Sequence, residues 1–205
     1  MKFKIILLAT IAFVTMSFNS AGSLTDAERK HAGNLLQETQ ENLLKKLNGL
    51  TPEQLSFKAD ATSWSISECL EHIAISENNF IGLLQTALKE PADPSKRNEV
   101  KMNDEAIVSM MTDRSIKRKA PETFRPSGKF GTYEATLQEF KTKRENNINY
   151  IKTTSDDLRN HYNDFPFGKI DAYQTILFMA AHSKRHTEQI EEIMKNVNFP
   201  KKKGR

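Results

Sequence analysis

A single cysteine, Cys69, stands among 205 residues. No intrachain disulfide can therefore form, and stability must come from packing or from a bound metal. Glycine is also sparse, with 8 in all and none gathered into a phosphate-cradling loop. A Ser-His-Asp ordering and an EF-hand loop are missing too. Strand-like alternation is weak throughout. Beyond the N-terminal end, no apolar run approaches the roughly 20 residues that a membrane crossing needs. Disulfide scaffolds, P-loop enzymes, calcium-loop proteins and multi-span membrane proteins are thereby set aside. What remains is 38% hydrophobic and 27% charged, ordinary for one globular domain with a real core.

The N-terminal end reads as a secretory signal peptide over residues 1–23. Lys2 and Lys4 precede an apolar run from Ile5 to Val14, and Ala21 and Ser23 put small residues at −3 and −1 of a cut after Ser23. The run is short for a membrane anchor, and no cysteine near the cut could carry a lipid. The expected product is exported, periplasmic or secreted, with no stable membrane span after cleavage. Its domain runs over 24–199 and a basic tail over 200–205.

The net charge of +4 comes from the two ends. Without Lys2, Lys4 and the tail's Lys201, Lys202, Lys203 and Arg205, the 30 basic residues drop just below the 26 acidic ones. A basic working face is therefore not implied, and no nucleic-acid partner is expected.

Long amphipathic stretches dominate and predict an all-α fold. A first long helix is expected from Thr25, where Thr25 and Glu28 fit a capping box, to a left-handed stop at Gly49. A connection from Thr51 to Trp64 follows. A second long helix should start at Ser65, with Glu68 completing its capping box, and end near Lys89 before Pro91. Ile66, Leu70, Ile73, Glu77 and Phe80 mark its inner side. The stretch Glu90–Gly131 holds one short helix at Asn103–Arg114 and then loop. A third long helix is expected over Thr132–Thr153, followed by a short helical turn capped at Ser155-Asp156-Asp157 and a loop over Asn163–Gly168. The fourth runs from Asp171 to about Val197, with Val197 on its buried side.

His182 and His186 lie four residues apart on that fourth helix, one turn apart on one face. Two imidazoles so placed can reach one metal ion, though a partly buried polar pair fits the same spacing. Thr175, Met179, His182, His186, Gln189 and Ile193 form a single seam. Buried imidazoles need partners. His72, close in spacing to Ile66, Cys69 and Ile73, is the natural third ligand, since bundle metal sites draw on facing helices. The competing role for His72 is a bond to a backbone carbonyl. Glu68, one turn before His72, and Gln189, three residues after His186, are candidates to orient an imidazole from behind the metal. Capping explains Glu68 equally well. Arg185 and Glu188 read as solvated, Cys69 as a small buried apolar residue, Trp64 as packing, and His31 and His161 as surface residues. No catalytic acid or base stands out.

The segment Trp64-Ser65-Ile66-Ser67-Glu68-Cys69-Leu70-Glu71-His72-Ile73 resembles the second-helix signature of the DinB-like superfamily. The segment His182-Ser183-Lys184-Arg185-His186-Thr187-Glu188-Gln189-Ile190 resembles its fourth-helix signature. Their order and separation match, as does Gly168 before the last helix. The resemblance implies a four-helix bundle of the DinB/YfiT-like type, with His72, His182 and His186 holding one divalent ion, zinc or nickel for preference. The family includes thiol-dependent transferases and isomerases and a group described as metal-dependent hydrolases. A metal-dependent hydrolase or thiol S-transferase acting on a small molecule is thus expected. A non-catalytic, metal-stabilised binding module is the alternative, and a homodimer stays an option. Export departs from the better-known members and counts against a cytosolic thiol cofactor.

Overall fold

The computed structural model describes residues 23–202. The expected signal peptide, apart from Ser23, and the last three residues of the basic tail lie outside them. Four long helices form the body: α1 (Asp26–Leu47), α3 (Ile66–Ala87), α5 (Tyr133–Thr153) and α6 (Ala172–Met194). Shorter elements are α2 (Pro52–Ser56), α4 (Asp104–Thr112) and the strands β1 (Tyr162–Phe165) and β2 (Gly168–Asp171). Short 3-10 helices sit at Pro94–Glu99 and Glu122–Phe124. Among the described residues no helix is long and apolar enough to cross a membrane.

Local chemistry sets the starts. Reciprocal capping boxes close α1 (Thr25 with Glu28), α3 (Ser65 with Glu68) and α6 (Asp171 with Gln174), as the sequence predicts. A fourth box, Thr51 with Gln54, starts α2 inside what reads as plain connection. Pro52 favours that first turn because its missing N–H would be unbonded there anyway. Gly49 stops α1's run with φ 68°.

Three expectations need correction. The Asn163–Gly168 loop belongs to an antiparallel hairpin in which Tyr162 faces Asp171 and Phe165 faces Gly168. Its four-residue strands bury no alternating face, so the sequence carries no period-2 signal. Ser155-Asp156-Asp157 starts no helix, and the chain there is irregular, leading into a turn at Leu158 and Arg159. Finally, α6 ends at Met194 and leaves Val197 92% exposed.

The apolar interior falls into two clusters. Leu36, Phe80, Ile151 and Ala181 belong to one; Leu43, Ala74, Phe140 and Ile190 belong to the other. On each long helix a buried polar group falls between them: Thr39 on α1, Ser76 and Glu77 on α3, Arg144 and Asn147 on α5, and His182, Ser183 and His186 on α6. His72 enters this layer from one turn earlier on α3. The bundle is thus two oily ends around a polar stratum, and the candidate site lies in that stratum.

Candidate metal centre

His72 stands in the second turn of α3, and His182 and His186 stand in the middle of α6. Their metal-ligating nitrogens lie within 4.8 Å of one another. His72 Nε2 is 3.1 Å from His182 Nε2 and 3.0 Å from His186 Nε2. The three residues are only 2%, 6% and 8% exposed.

Their outer nitrogens decide what the inner ones can do. His72 Nδ1 lies 2.6 Å from the Phe124 carbonyl oxygen, and His186 Nδ1 lies 2.8 Å from Gln189 Oε1. Both partners only accept, so both Nδ1 atoms carry hydrogen. A neutral imidazole has one N–H, which leaves a bare lone pair on each Nε2. Burial keeps the rings neutral by pushing all three below the ordinary 6.5, and for His182 and His186 the neighbouring imidazoles push further. Two bare nitrogens 3.0 Å apart repel each other. A proton on His182 Nε2 could relieve one of them but not both. A cation between the three nitrogens relieves all, so the donor set fits a divalent metal ion. His182 Nδ1 is buried without a hydrogen-bond partner.

The residues expected beside the ligands divide. Gln189 Oε1 lies against His186 Nδ1 at 2.8 Å. Glu68 does not reach His72: its carboxylate accepts from the Ser65 N–H at 2.7 Å and from Lys58 Nζ at 2.7 Å. The backing for His72 comes instead from a backbone carbonyl in the covering loop, which no side-chain pattern announces. Cys69 is fully buried, its thiol pushed up to about 12 by burial, and takes no part in the cluster.

Trp64 does more than pack the helix start. Its ring centroid lies 4.8 Å from that of His72 and 6.1 Å from that of His186. Phe80 meets His182 edge-on at 5.4 Å. Arg185, expected in solvent, is buried. It donates to the carbonyls of Met111 and Asp113 and, at 2.7 Å, of Ile116. Glu71 accepts from the backbone N–H groups of Ser127 and Lys129 at 3.2 and 2.7 Å. These contacts lay the segment Asp113–Gly131 over the imidazoles. His31 is exposed as expected. His161 is half-buried, with a ring nitrogen 2.6 Å from the Asp157 carbonyl and the other 3.0 Å from that of Glu90.

Behind the ligands the polar stratum holds an ion pair whose partners lie on different helices. Arg144 and Glu77 are 0% and 1% exposed. Its spacing puts Glu77 on the inner side of its helix. Arg144 has the same signal, since Phe140, Arg144, Asn147 and Ile151 recur at three or four residues.

A family model described as the DinB superfamily matches residues 35–190. The uncharacterized protein YuaE of Bacillus subtilis (strain 168) is 29% identical over 153 residues, covering 74% of this chain and 90% of YuaE. The solved structure of YfiT from Bacillus subtilis is described as a probable metal-dependent hydrolase with an unusual four-helix bundle topology. It superposes with a TM-score of 0.56 at 16% identity, covering 84% of this chain and 89% of that one.

Proposed function

The chain belongs to the DinB superfamily, and from that premise we propose that His72, His182 and His186 hold one divalent ion for metal-dependent hydrolysis of a small molecule. The observation that carries this reading is the meeting of the buried His72 Nε2 with His186 Nε2 at 3.0 Å and with His182 Nε2 at 3.1 Å. Imidazole donors without a carboxylate suit zinc or nickel. Such an ion keeps its full positive charge and an open position, where it acidifies water or polarises a substrate oxygen.

The chain's own residues supply the setting. The Phe124 carbonyl and Gln189 fix two rings with Nε2 facing inward. Trp64, Phe80 and the covering segment keep bulk water from the imidazoles, which strengthens charge interactions there. With the rings so little exposed, a substrate reaches the ion only when the Asp113–Gly131 segment moves.

That same burial favours a second reading, in which the ion is a structural staple. Elemental analysis of wild type and His182→Ala tests the metal. Wild type should carry close to one ion per chain and the variant little, with similar helical content; equal metal in both removes His182 from the site. Activated esters and amides, with the ion loaded and stripped, then separate the readings. Turnover that needs the metal supports hydrolysis, turnover only with a thiol and an electrophile supports transfer, and neither leaves the staple.

Export is part of the proposal. Leu24 is buried in the core at 4% exposure, so a chain cut after Ser23 keeps the first core residue among those described. Mass analysis of protein from the native host should find Leu24 at the N-terminus, and retained Met1 would overturn it.

A further inference from the structure

The Arg144 guanidinium reaches every long helix of the bundle. Nη1 donates to the Leu36 carbonyl at 2.8 Å and to Thr39 Oγ1 at 2.7 Å on α1. Nε donates to Glu77 Oε2 on α3 at 3.2 Å, and Nη2 is bonded to Glu77 Oε1. Nη2 also donates to Ser183 Oγ on α6 at 2.6 Å. Asn147 Nδ2 adds a bond to Glu77 Oε2 at 3.0 Å, and Ser183 Oγ lies 3.3 Å from Glu77 Oε1. Ser183 directly follows His182, and Glu77 lies five residues after His72.

An ion pair this deep is a poor source of stability, because desolvation cancels most of its attraction. Its placement answers a different need. At about 100° per residue, Ser183 points roughly 100° away from His182 and roughly 60° away from His186, and Glu77 roughly 140° away from His72. The pair therefore grips α3 and α6 on faces other than those that carry the ligands, and so opposes rotation of either helix about its axis. Side-chain tips stand about 5–6 Å from a helix axis, so a turn of about 10° would swing an imidazole by about 1 Å. Metal–nitrogen distances tolerate only about 0.2 Å.

We propose that Glu77 and Arg144, with Ser183, are positioning residues that set the rotation of α3 and α6 so that His72, His182 and His186 converge on one ion. The proposal rests on the metal reading above.

The test is Glu77→Leu with Arg144→Met in one chain, since apolar replacement of a buried pair is often neutral or stabilising. Zinc affinity is measured by chelator competition, and the thermal midpoint is measured on metal-free protein. The expected result is an unchanged or higher midpoint with zinc affinity lowered about 10- to 100-fold. A role in stability alone would lower the midpoint and leave the affinity of the folded chain where it was, which overturns the proposal. Ser183→Ala keeps both charges paired and frees only α6. It should weaken zinc several-fold, and serves where the double variant does not fold; wild-type affinity in Ser183→Ala overturns the proposal. A wild-type chain that binds no zinc, nickel or cobalt defeats the metal reading and this proposal together. Wild-type binding with undiminished affinity in the variants defeats the positioning role alone.

Discussion

His72 differs from the other two ligands in what holds its outer nitrogen. His186 leans on Gln189, three residues along its own helix, and His72 leans on the Phe124 carbonyl. Gln189 could be found in the sequence because i, i+3 neighbours share a helix face. Phe124 could not, because any residue has a carbonyl and only tertiary folding chooses which one arrives. Glu68 shows the converse, a plausible spacing already committed to capping and to Lys58. Gln189→Leu should therefore lower zinc affinity about 10-fold, whereas Glu68→Gln should leave affinity alone and lower stability by no more than about 1.5 kcal/mol. Chelator competition and thermal melts on both variants check this, and the opposite ranking would reverse the assignment.

The same imidazoles predict an acid response of the metal-free chain. Burial lowers the proton affinity of all three in the folded state below the ordinary 6.5. Between the lowered values and 6.5 the unfolded chain holds more protons, so stability rises with pH across that window. The thermal midpoint should be level above about pH 6.5 and fall as pH drops below it, before carboxylates begin to titrate near about pH 5. Replacing His182 with alanine should flatten the slope. A slope equal to that of wild type would mean that the cluster is not its source.

At the scale of elements, what the sequence reveals divides by length. The four long helices declare themselves through repeated apolar spacing and paired caps, and α4 does so more faintly. The hairpin and α2 do not, because elements of four and five residues are too short to repeat a pattern. The covering segment is legible only as a long loop, whose length hints at a lid. Its attachment is tertiary: Arg185 to the carbonyls of Met111, Asp113 and Ile116, and Glu71 to the N–H groups of Ser127 and Lys129. Arg185 reads from the sequence as solvated, as Glu188 does. It is buried because three carbonyls converge on it. Arg185→Met removes those donors while keeping an apolar stem of similar length. Beyond them, Lys117, Arg118 and Lys119 are exposed trypsin sites. Trypsin should cut there several-fold faster in the variant than in wild type, with the long helices surviving as large fragments by mass analysis. Equal rates would show that the segment is held by other contacts.

At the scale of the molecule, two apolar clusters joined by a polar layer set how much the fold depends on its ion. Zinc fingers collapse without metal because they have little else to bury. Here Leu36, Phe80 and Ile176 on one side, and Leu43, Leu70 and Phe140 on the other, are buried to within 4% by packing among the helices themselves. The stripped chain should therefore keep its helical content and melt cooperatively. The long helices are legible in the sequence for the same reason, since those clusters are built from the repeated apolar positions, whereas their assembly as a bundle is what the resemblance of the two histidine segments implies. The polar stratum is not legible, because a charge on a seam looks like an exception until its partner on another helix is known. An ion that binds only the folded chain then adds stability by mass action, about 2.7 kcal/mol at a hundredfold excess over its dissociation constant. For a domain of this size that raises the midpoint by about 5–10 °C. Melting the stripped protein with and without zinc, and His182→Ala beside it, measures the quantity. The shift should appear in wild type and vanish in the variant. If stripping the metal instead abolishes the helical signal, the two clusters cannot hold the bundle by themselves, and the ion is a folding element before it is anything chemical.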